Sequence, residues 1–391
     1  MTKYFKKLKL NIVNLLIVMF LIHGFIFFIK PQELYNINSE IRNIKYIILL
    51  LILFFVMSKI LIVKVCYYIL AILWLFSMNI MATGLNFNYR SLLTYIIPLV
   101  IFFTYDGINK YMNKKYVIIS TYFIASTFSY IEFFILKGVF FGRFASSGYR
   151  VVSIFVNPNN FAIVIIFLTL CMYNKNYYIS ILNKMIITMN TFLLVLLSGS
   201  RTALLVFILI LLSKIFTNVK NIILHPKKVN LNDTVYCLLI NLILIIFIIL
   251  TTNKIVTLAI RILMKTRNFE TMHLSGMARI NQYINFFNMQ NNFIFPWSQT
   301  IFYVDNIYLH IWGMFGILTI IIFILFNIYI MYIAFKKENN VYFYLHITIL
   351  LIGLSTNFLY IWPLAYFYWF LVADILAKKT KIINLGNYYD S

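Results

Sequence analysis

Apolar runs of about 17 or more residues recur along this chain from Leu10 onward, separated by short polar stretches. That recurrence narrows the possible folds more than any other feature. A helix of about 20 apolar residues crosses the roughly 30 Å of hydrocarbon in a bilayer. A transmembrane barrel would instead show strands of about 10 residues with alternating polarity, which these runs are not. Composition agrees: 63% of residues are hydrophobic, 11% are charged and the mean hydropathy is +0.90, far from the soluble globular range. The expected fold is an all-α polytopic membrane protein with both termini cytoplasmic, residues 1–391 forming a single integral membrane domain.

About twelve spans are expected, near 10–29, 44–58, 65–83, 91–105, 116–136, 159–173, 184–198, 201–216, 233–252, 305–335, 341–358 and 360–377. The tenth is long enough to tilt or protrude. The basic start, Met1 to Lys9, resembles a signal-peptide flank, but no small-residue cleavage site follows Leu10 to Phe28, so a retained first helix is expected. Linkers carrying Lys59 and Lys64, Lys110 to Lys115, Lys175 and Lys184, Lys214 to Lys228 and Lys336 with Lys337 alternate with linkers poor in Lys. By the positive-inside rule the Lys-rich ends are cytoplasmic, and Asp106 with its neighbouring lysines reads as a cytoplasmic turn. The same rule accounts for most of the net charge of +23, which in a soluble protein would suggest nucleic acid; no nucleic-acid partner is expected here. Cys66, Cys171 and Cys237 lie in or beside apolar runs and read as small buried hydrophobes, with neither a disulfide nor a metal site.

The eight arginines, Arg42, Arg90, Arg143, Arg150, Arg201, Arg261, Arg267 and Arg279, all fall on the outer side of this topology, while most lysines fall inside. Topology signals do not distinguish Arg from Lys, so the split needs another cause. Arg is planar, permanently charged and able to hold phosphate or carboxylate bidentately. Snorkelling at helix ends accounts for Arg42 and Arg90. The remainder point to an outward-facing anion site.

Three outer elements carry that site. The first is the loop 137–160, containing Arg143, Gly148, Arg150, Ser153 and Asn157-Pro158-Asn159-Asn160, in which Gly and Ser break the helix and Asn-Pro turns the chain. The second is Ser198-Gly199-Ser200-Arg201, where turn amides opening a helix beside an Arg favour an anion. The third is the large outer loop 253–305 before the last three helices. In it Met277, Ile280, Ile284 and Phe287 recur at helical spacing after Ser275, a cap candidate. An amphipathic interfacial helix over roughly 276–289 is therefore expected, with Arg279 facing away from lipid. The loop ends at Asp305-Asn306.

These residues resemble the O-antigen polymerase (Wzy-type) and O-antigen ligase superfamily of bacterial envelope glycosyltransferases. Arg150-Val-Val-Ser153, three residues, then Asn157-Pro158-Asn159 is similar to the family's Arg followed by an Asn-Pro-Asn turn, where Gly is common at the position of Ser153. Ser198-Gly199-Ser200-Arg201-Thr202-Ala203 resembles its Ser-Arg helix start. Asn306, nine residues, Gly316, two residues and Thr319 match a ligase pattern, except that Asp305 stands where ligases carry His. That departure favours a polymerase of lipid-linked repeat units. The matches cover roughly residues 140–320.

The resemblance implies a GT-C-like architecture and a place in the bacterial inner membrane with the active site facing the periplasm. It implies transfer of a growing O-antigen or capsule glycan from undecaprenyl diphosphate to a lipid-linked repeat unit. The partners would be the undecaprenyl-diphosphate-linked oligosaccharide, the lipid bilayer, a chain-length regulator and a flippase. Leaving diphosphate needs its charge neutralised more than it needs a general acid. Arg150, Arg201 and Arg279 are the expected catalytic cations, with Arg143, Arg267, Asn157, Asn160 and Asn306 binding diphosphate or sugar. Asp305 is the expected base for the attacking hydroxyl, or alternatively the cap of the tenth helix. Glu270, His273 and His310 are weaker candidates. No Asp-x-Asp pair occurs, so metal-independent chemistry without a cofactor is expected. The alternatives are a ligase that passes polymer to lipid A core, or a lipid-linked oligosaccharide flippase. The latter would need midplane ionisable residues or broken helices together with an internal repeat, and arginines confined to one side suit a one-sided enzyme better.

Overall fold

A computed structural model of the chain describes residues 2–22, 39–56, 62–83, 89–135, 151, 153–155, 158–173, 180–200, 202–212, 269–288, 304–336, 340–360 and 362–386. Among these residues the structure is helical and contains no strand. The helices are α1 (Thr2–Leu21), α2 (Ser39–Val56), α3 (Ile62–Thr83), α4 (Tyr89–Tyr111) and α5 (Lys114–Tyr130), which continues as a π-helical turn, Ile131–Ile135. A short 3-10 turn, Ser153–Phe155, precedes α6 (Pro158–Met172) and α7 (Ile181–Ser198). Then come α8 (Thr202–Leu212), α9 (Phe269–Asn288), α10 (Ile307–Lys336), α11 (Asn340–Gly353) and α12 (Leu364–Gly386).

Among the described residues, four helical stretches are long and apolar enough to cross a membrane: Lys64–Met81, Leu92–Tyr111, Lys114–Ile135 and Ile307–Lys336. Seven shorter apolar helices accompany them. Large apolar side chains such as Leu50, Phe54, Leu70, Leu73, Phe123 and Leu325 point outward. In water such surfaces would drive association; in lipid they are solvated. This is the architecture of a polytopic helical membrane protein. The span expected at 233–252 lies outside the described residues. Asp106 is not in a turn: α4 runs on to Tyr111, and the carboxylate pairs with Lys64 of α3.

The chain divides into two compact units. One comprises Met1–Ile17, Tyr46–Lys114 and His273–Ser391, the other Val18–Lys45 and Lys115–Met272. In the first unit α12 packs along α4, α3 packs on α4 and α10, and α10 packs on α11 and α12. Polar groups in an apolar medium must find partners inside the protein, and they do so here in clusters. Asp374 of α12 accepts from the hydroxyls of Tyr105 and Tyr342 and from Lys114 Nζ at 2.6 Å. His310 Nδ1 lies 2.6 Å from the Tyr95 hydroxyl, and Asn357 donates to that hydroxyl at 3.0 Å. Tyr368 donates to Asn327 at 2.8 Å.

The long tenth span is interrupted. Gly316 has φ 78° and ψ 172°, a backbone region that only glycine occupies freely, so α10 is a segment Ile307–Phe315 followed by Ile317–Lys336. The second segment, roughly 20 residues at about 1.5 Å each, is long enough to cross hydrocarbon by itself. The surplus length, expected to tilt or protrude, is thus taken up by a break. The break exposes backbone groups that the helix would otherwise satisfy. Asn79 of α3 donates its side-chain amide to Met314 O at 2.8 Å, and Thr319 Oγ1 donates to Phe315 O at 2.9 Å.

In the second unit α6 packs on α7 and on the 3-10 turn. Hydroxyls and one amide bind α5, α6 and α7 together. Thr191 Oγ1 lies 3.1 Å from Tyr122 Oη and 2.6 Å from Thr169 Oγ1, and Asn190 donates to Tyr122 at 2.8 Å and accepts from Tyr130. Apart from Thr169, the middle of α6 is apolar, with Phe161, Val164, Ile165, Ile166 and Leu168 fully buried.

Candidate functional site

In the first unit, Arg279 of α9 faces Asp305, the residue two before α10. Nε of Arg279 is 3.9 Å from Oδ2 of Asp305, and the side chains are 36% and 34% exposed. The separation is too long for a hydrogen bond. A pair this exposed contributes about 0–1 kcal/mol to stability, so folding alone gives little reason for opposing charges here. The nearest guanidinium atom is Nε, which leaves the two Nη groups for a further anion. Gln282, one turn after Arg279, accepts from the Asp305 amide at 3.3 Å and ties the carboxylate's backbone to α9.

The stripe Met277, Ile280, Ile284 and Phe287 is exposed, while Arg279, Gln282, Tyr283 and Phe286 form the face turned to the protein. The expected amphipathic helix is therefore present with Arg279 off its apolar stripe. It begins earlier than expected, at Phe269, so Ser275 is interior and does not cap it. Glu270 and His273 belong to its first turns. Phe286 packs edge-on against Trp312, centroids 5.6 Å apart, an arrangement worth about 0.5–1.5 kcal/mol beyond burial. Gly313 permits this approach, since a Cβ there would sit 2.9 Å from the Phe286 ring.

The spacing Asn306–Gly316–Thr319 acquires a structural meaning. Asn306 Oδ1 accepts from Tyr308 N at 2.9 Å and Leu309 N at 3.1 Å, which makes Asn306 the N-cap of α10. Its amide nitrogen donates to Leu354 O at 3.1 Å. Asn306, expected on the substrate, therefore has its oxygen used in capping and its amide in a tie to the end of α11. Gly316 ends the short segment and Thr319 ties its last carbonyl. Asp305 does not cap; the alternative role considered for it falls to its neighbour, because the helix begins at Ile307 and the cap position is therefore 306. His310 is buried and engaged with Tyr95.

In the second unit, the segment after Arg150 is buried. Val151, Ser153, Ile154 and Phe155 have almost no exposure. The Val151 amide donates to Leu197 O at 3.1 Å, so the residue following Arg150 is bonded to the end of α7, just before Ser198-Gly199-Ser200. Gly199 closes α7 in the left-handed conformation, φ 60°, its N–H bonded to Leu196 O. Ser200 N donates to Ser198 Oγ at 3.1 Å. Ser153 also has a left-handed backbone, φ 49°, which costs a non-glycine residue about 1–2 kcal/mol. Two bonds hold it there: its amide donates to Glu132 Oε2 at 2.7 Å and its hydroxyl to Ala125 O at 2.7 Å. Asn160, in the first turn of α6, is buried, and its side-chain oxygen has no partner among the described residues.

Of the expected site residues, Asn160, Arg279, Asp305 and Asn306 are described; Arg143, Arg150, Asn157, Arg201 and Arg267 lie outside the described residues. The structure brings Arg279 and Asp305 together and shows Asn306 as a cap. Sequence reasoning passed over Gln282 and the engagement of Glu132. The first stood on the Arg279 face at i+3, a spacing that could have marked it. No group of three or more His, Cys, Asp or Glu side chains converges among the described residues. No protein-family model, curated protein or solved structure matches this chain.

Proposed function

We infer that this protein is an envelope polysaccharide polymerase acting on the outer face of a bacterial inner membrane, lengthening an O-antigen or capsule glycan carried on undecaprenyl diphosphate. The observation that carries this reading is the pairing of Arg279 with Asp305 at 3.9 Å beside the N-terminus of a short helix, in a chain that is otherwise overwhelmingly apolar. The pair offers a base and a cation from one place. A hydroxyl of the lipid-linked repeat unit attacks the anomeric carbon of the growing chain. The new glycosidic C–O bond forms as the bond to diphosphate breaks, and the hydroxyl proton passes to Asp305. The Nη groups of Arg279 neutralise the departing diphosphate. The resemblance assigns Arg150, Arg201, Arg143 and Arg267 to diphosphate and Asn160 to the sugar as well. Two further observations support the reading. The left-handed backbone of Ser153 gives a physical reason for glycine at the matching position of the resemblance. The Val151–Leu197 bond ties together the chain segments that follow Arg150 and precede Arg201.

The test is a cell lacking this protein, complemented with the intact chain or with Asp305→Ala. The expected outcome is a long-chain glycan ladder with the intact chain, and glycan of a single repeat unit without it or with the variant. Accumulation of lipid-linked polymer that is never passed to lipid A core would replace the polymerase with a ligase.

A further inference from the structure

Three unusual features coincide in the second unit. Glu132 is a carboxylate with 1% exposure inside the apolar stretch Lys114–Ile135. It lies in a π-helical turn, Ile131–Ile135, a widening of the helix that is rare and tends to accompany functional sites. Its Oε2 accepts from the amide of Ser153, the described non-glycine residue with a positive φ. An ionisable side chain within a span, a distorted helix and a left-handed serine are each unfavourable on their own. Here one hydrogen bond of 2.7 Å joins all three.

We propose that Glu132 is a positioning residue for diphosphate binding: from the end of α5 it holds Ser153, and with it the buried neighbours Val151, Ile154 and Phe155, at the point where the chain passes from Arg150 toward α6. This rests on the reading under Proposed function. Glu132 does not itself touch substrate. The side-chain oxygen of Glu132 satisfies a buried backbone donor that water does not reach. Such a bond suits a turn that serine adopts reluctantly. The second anchor is the Val151–Leu197 bond, and the third is the Ser153 hydroxyl on Ala125 O, a carbonyl that also accepts from Ser129. With Glu132 removed, Ser153 is free to relax to negative φ, and the chain on either side of it turns with it.

The experiment uses the full chain in proteoliposomes and measures undecaprenyl diphosphate binding together with kcat and KM for repeat-unit polymerisation. Glu132→Ala is expected to lower kcat/KM about 100-fold through a weaker KM and weaker binding of undecaprenyl diphosphate. Asp305→Asn should lower kcat and leave that binding intact. Glu132→Gln keeps an acceptor for the Ser153 amide and should recover about 10-fold of the loss. In the Glu132→Ala background, Ser153→Gly should also recover about 10-fold, since glycine holds a left-handed φ without help. The proposal is overturned if a folded Glu132→Ala binds undecaprenyl diphosphate as the wild type does, or if Glu132→Gln is as impaired as Glu132→Ala. Should Glu132→Ala fail to fold, Glu132→Gln is read against the wild type: binding of undecaprenyl diphosphate weakened about 10-fold supports the proposal, and binding equal to wild type overturns it. A wild-type protein that neither binds undecaprenyl diphosphate nor extends glycan overturns the polymerase reading, and this proposal with it.

Discussion

Arg279 holds its guanidinium 3.9 Å from the carboxylate of Asp305, close enough to sense its charge and too far to spend a hydrogen bond on it. Exposed pairs of this kind add about 0–1 kcal/mol to stability. Asp305→Asn and Arg279→Ala are therefore expected to fold and to melt in detergent close to wild type, while polymer formation drops by about 10²–10³-fold. Quantifying the glycan ladder beside a thermal melt separates the two effects. A full-length ladder from either variant would remove the pair from the chemistry.

Asn306 provides a cleaner contrast, because capping and substrate binding ask for different replacements. As a cap it accepts from Tyr308 N and Leu309 N. Asp and Ser can do the same, whereas Ala cannot, at a cost of about 1 kcal/mol. Asn306→Asp and Asn306→Ser keep the cap and lose the amide tie to Leu354 O, so both should melt above Asn306→Ala, which loses both. Equal stability across all three would show that the cap is not what Asn306 is for.

At Gly316 any side chain meets an unfavourable backbone. With φ 78° and ψ 172°, Gly316→Ala should destabilise the fold by about 1–3 kcal/mol, read as a lower denaturation midpoint. Gly313→Ala acts differently. Its Cβ would press on a Phe286 side-chain atom, so its effect should shrink when Phe286 is replaced by Leu.

The cluster around Asp374 should behave as a structural lock in the first unit. Asp374 is almost wholly buried and accepts from Tyr105, Tyr342 and Lys114. Removing one member of a buried pair typically costs about 3–5 kcal/mol, so Asp374→Ala should unfold well below wild type. Replacing Lys114 with Met in that background should restore part of the loss, because it removes the stranded charge.

Orientation is open to labelling. In a chain with Cys66, Cys171 and Cys237 replaced, Asn281→Cys on the exposed side of α9 should react with a membrane-impermeant maleimide in intact cells. Lys110→Cys, at the end of α4, should react only after permeabilisation. The reverse pattern would invert the topology drawn from the lysines.

The apolar spans are legible in the sequence because lipid imposes a length and a composition on every crossing helix. Their ends are less so. Asp106 and Lys110 look like a turn by polarity, yet the helix continues through them, because Asp106 finds Lys64 on a neighbouring helix that no local pattern reveals. Ser275 has the chemistry of a cap, but the six residues before it were already helical. The Asn306–Gly316–Thr319 spacing was visible, while its meaning needed the backbone angles: a single glycine in an apolar run reads as a tolerated small residue until its φ is known. The role of Glu132 is not legible in the sequence, since neither a π-helical turn nor a left-handed serine leaves a mark in composition.

The break at Gly316 has one more consequence. A helix of about nine residues does not persist alone, since propagation has too few steps to offset nucleation. Ile307–Phe315 is therefore helical by virtue of what leans on it: Phe286 on Trp312, Asn306 on Leu354, and Asn79 beneath Met314. Order in that segment and closeness of Arg279 to Asp305 are two faces of the same docking event. Amide exchange along Ile307–Phe315 would consequently report, residue by residue, what fraction of molecules has its acid and its cation within reach of each other at any moment.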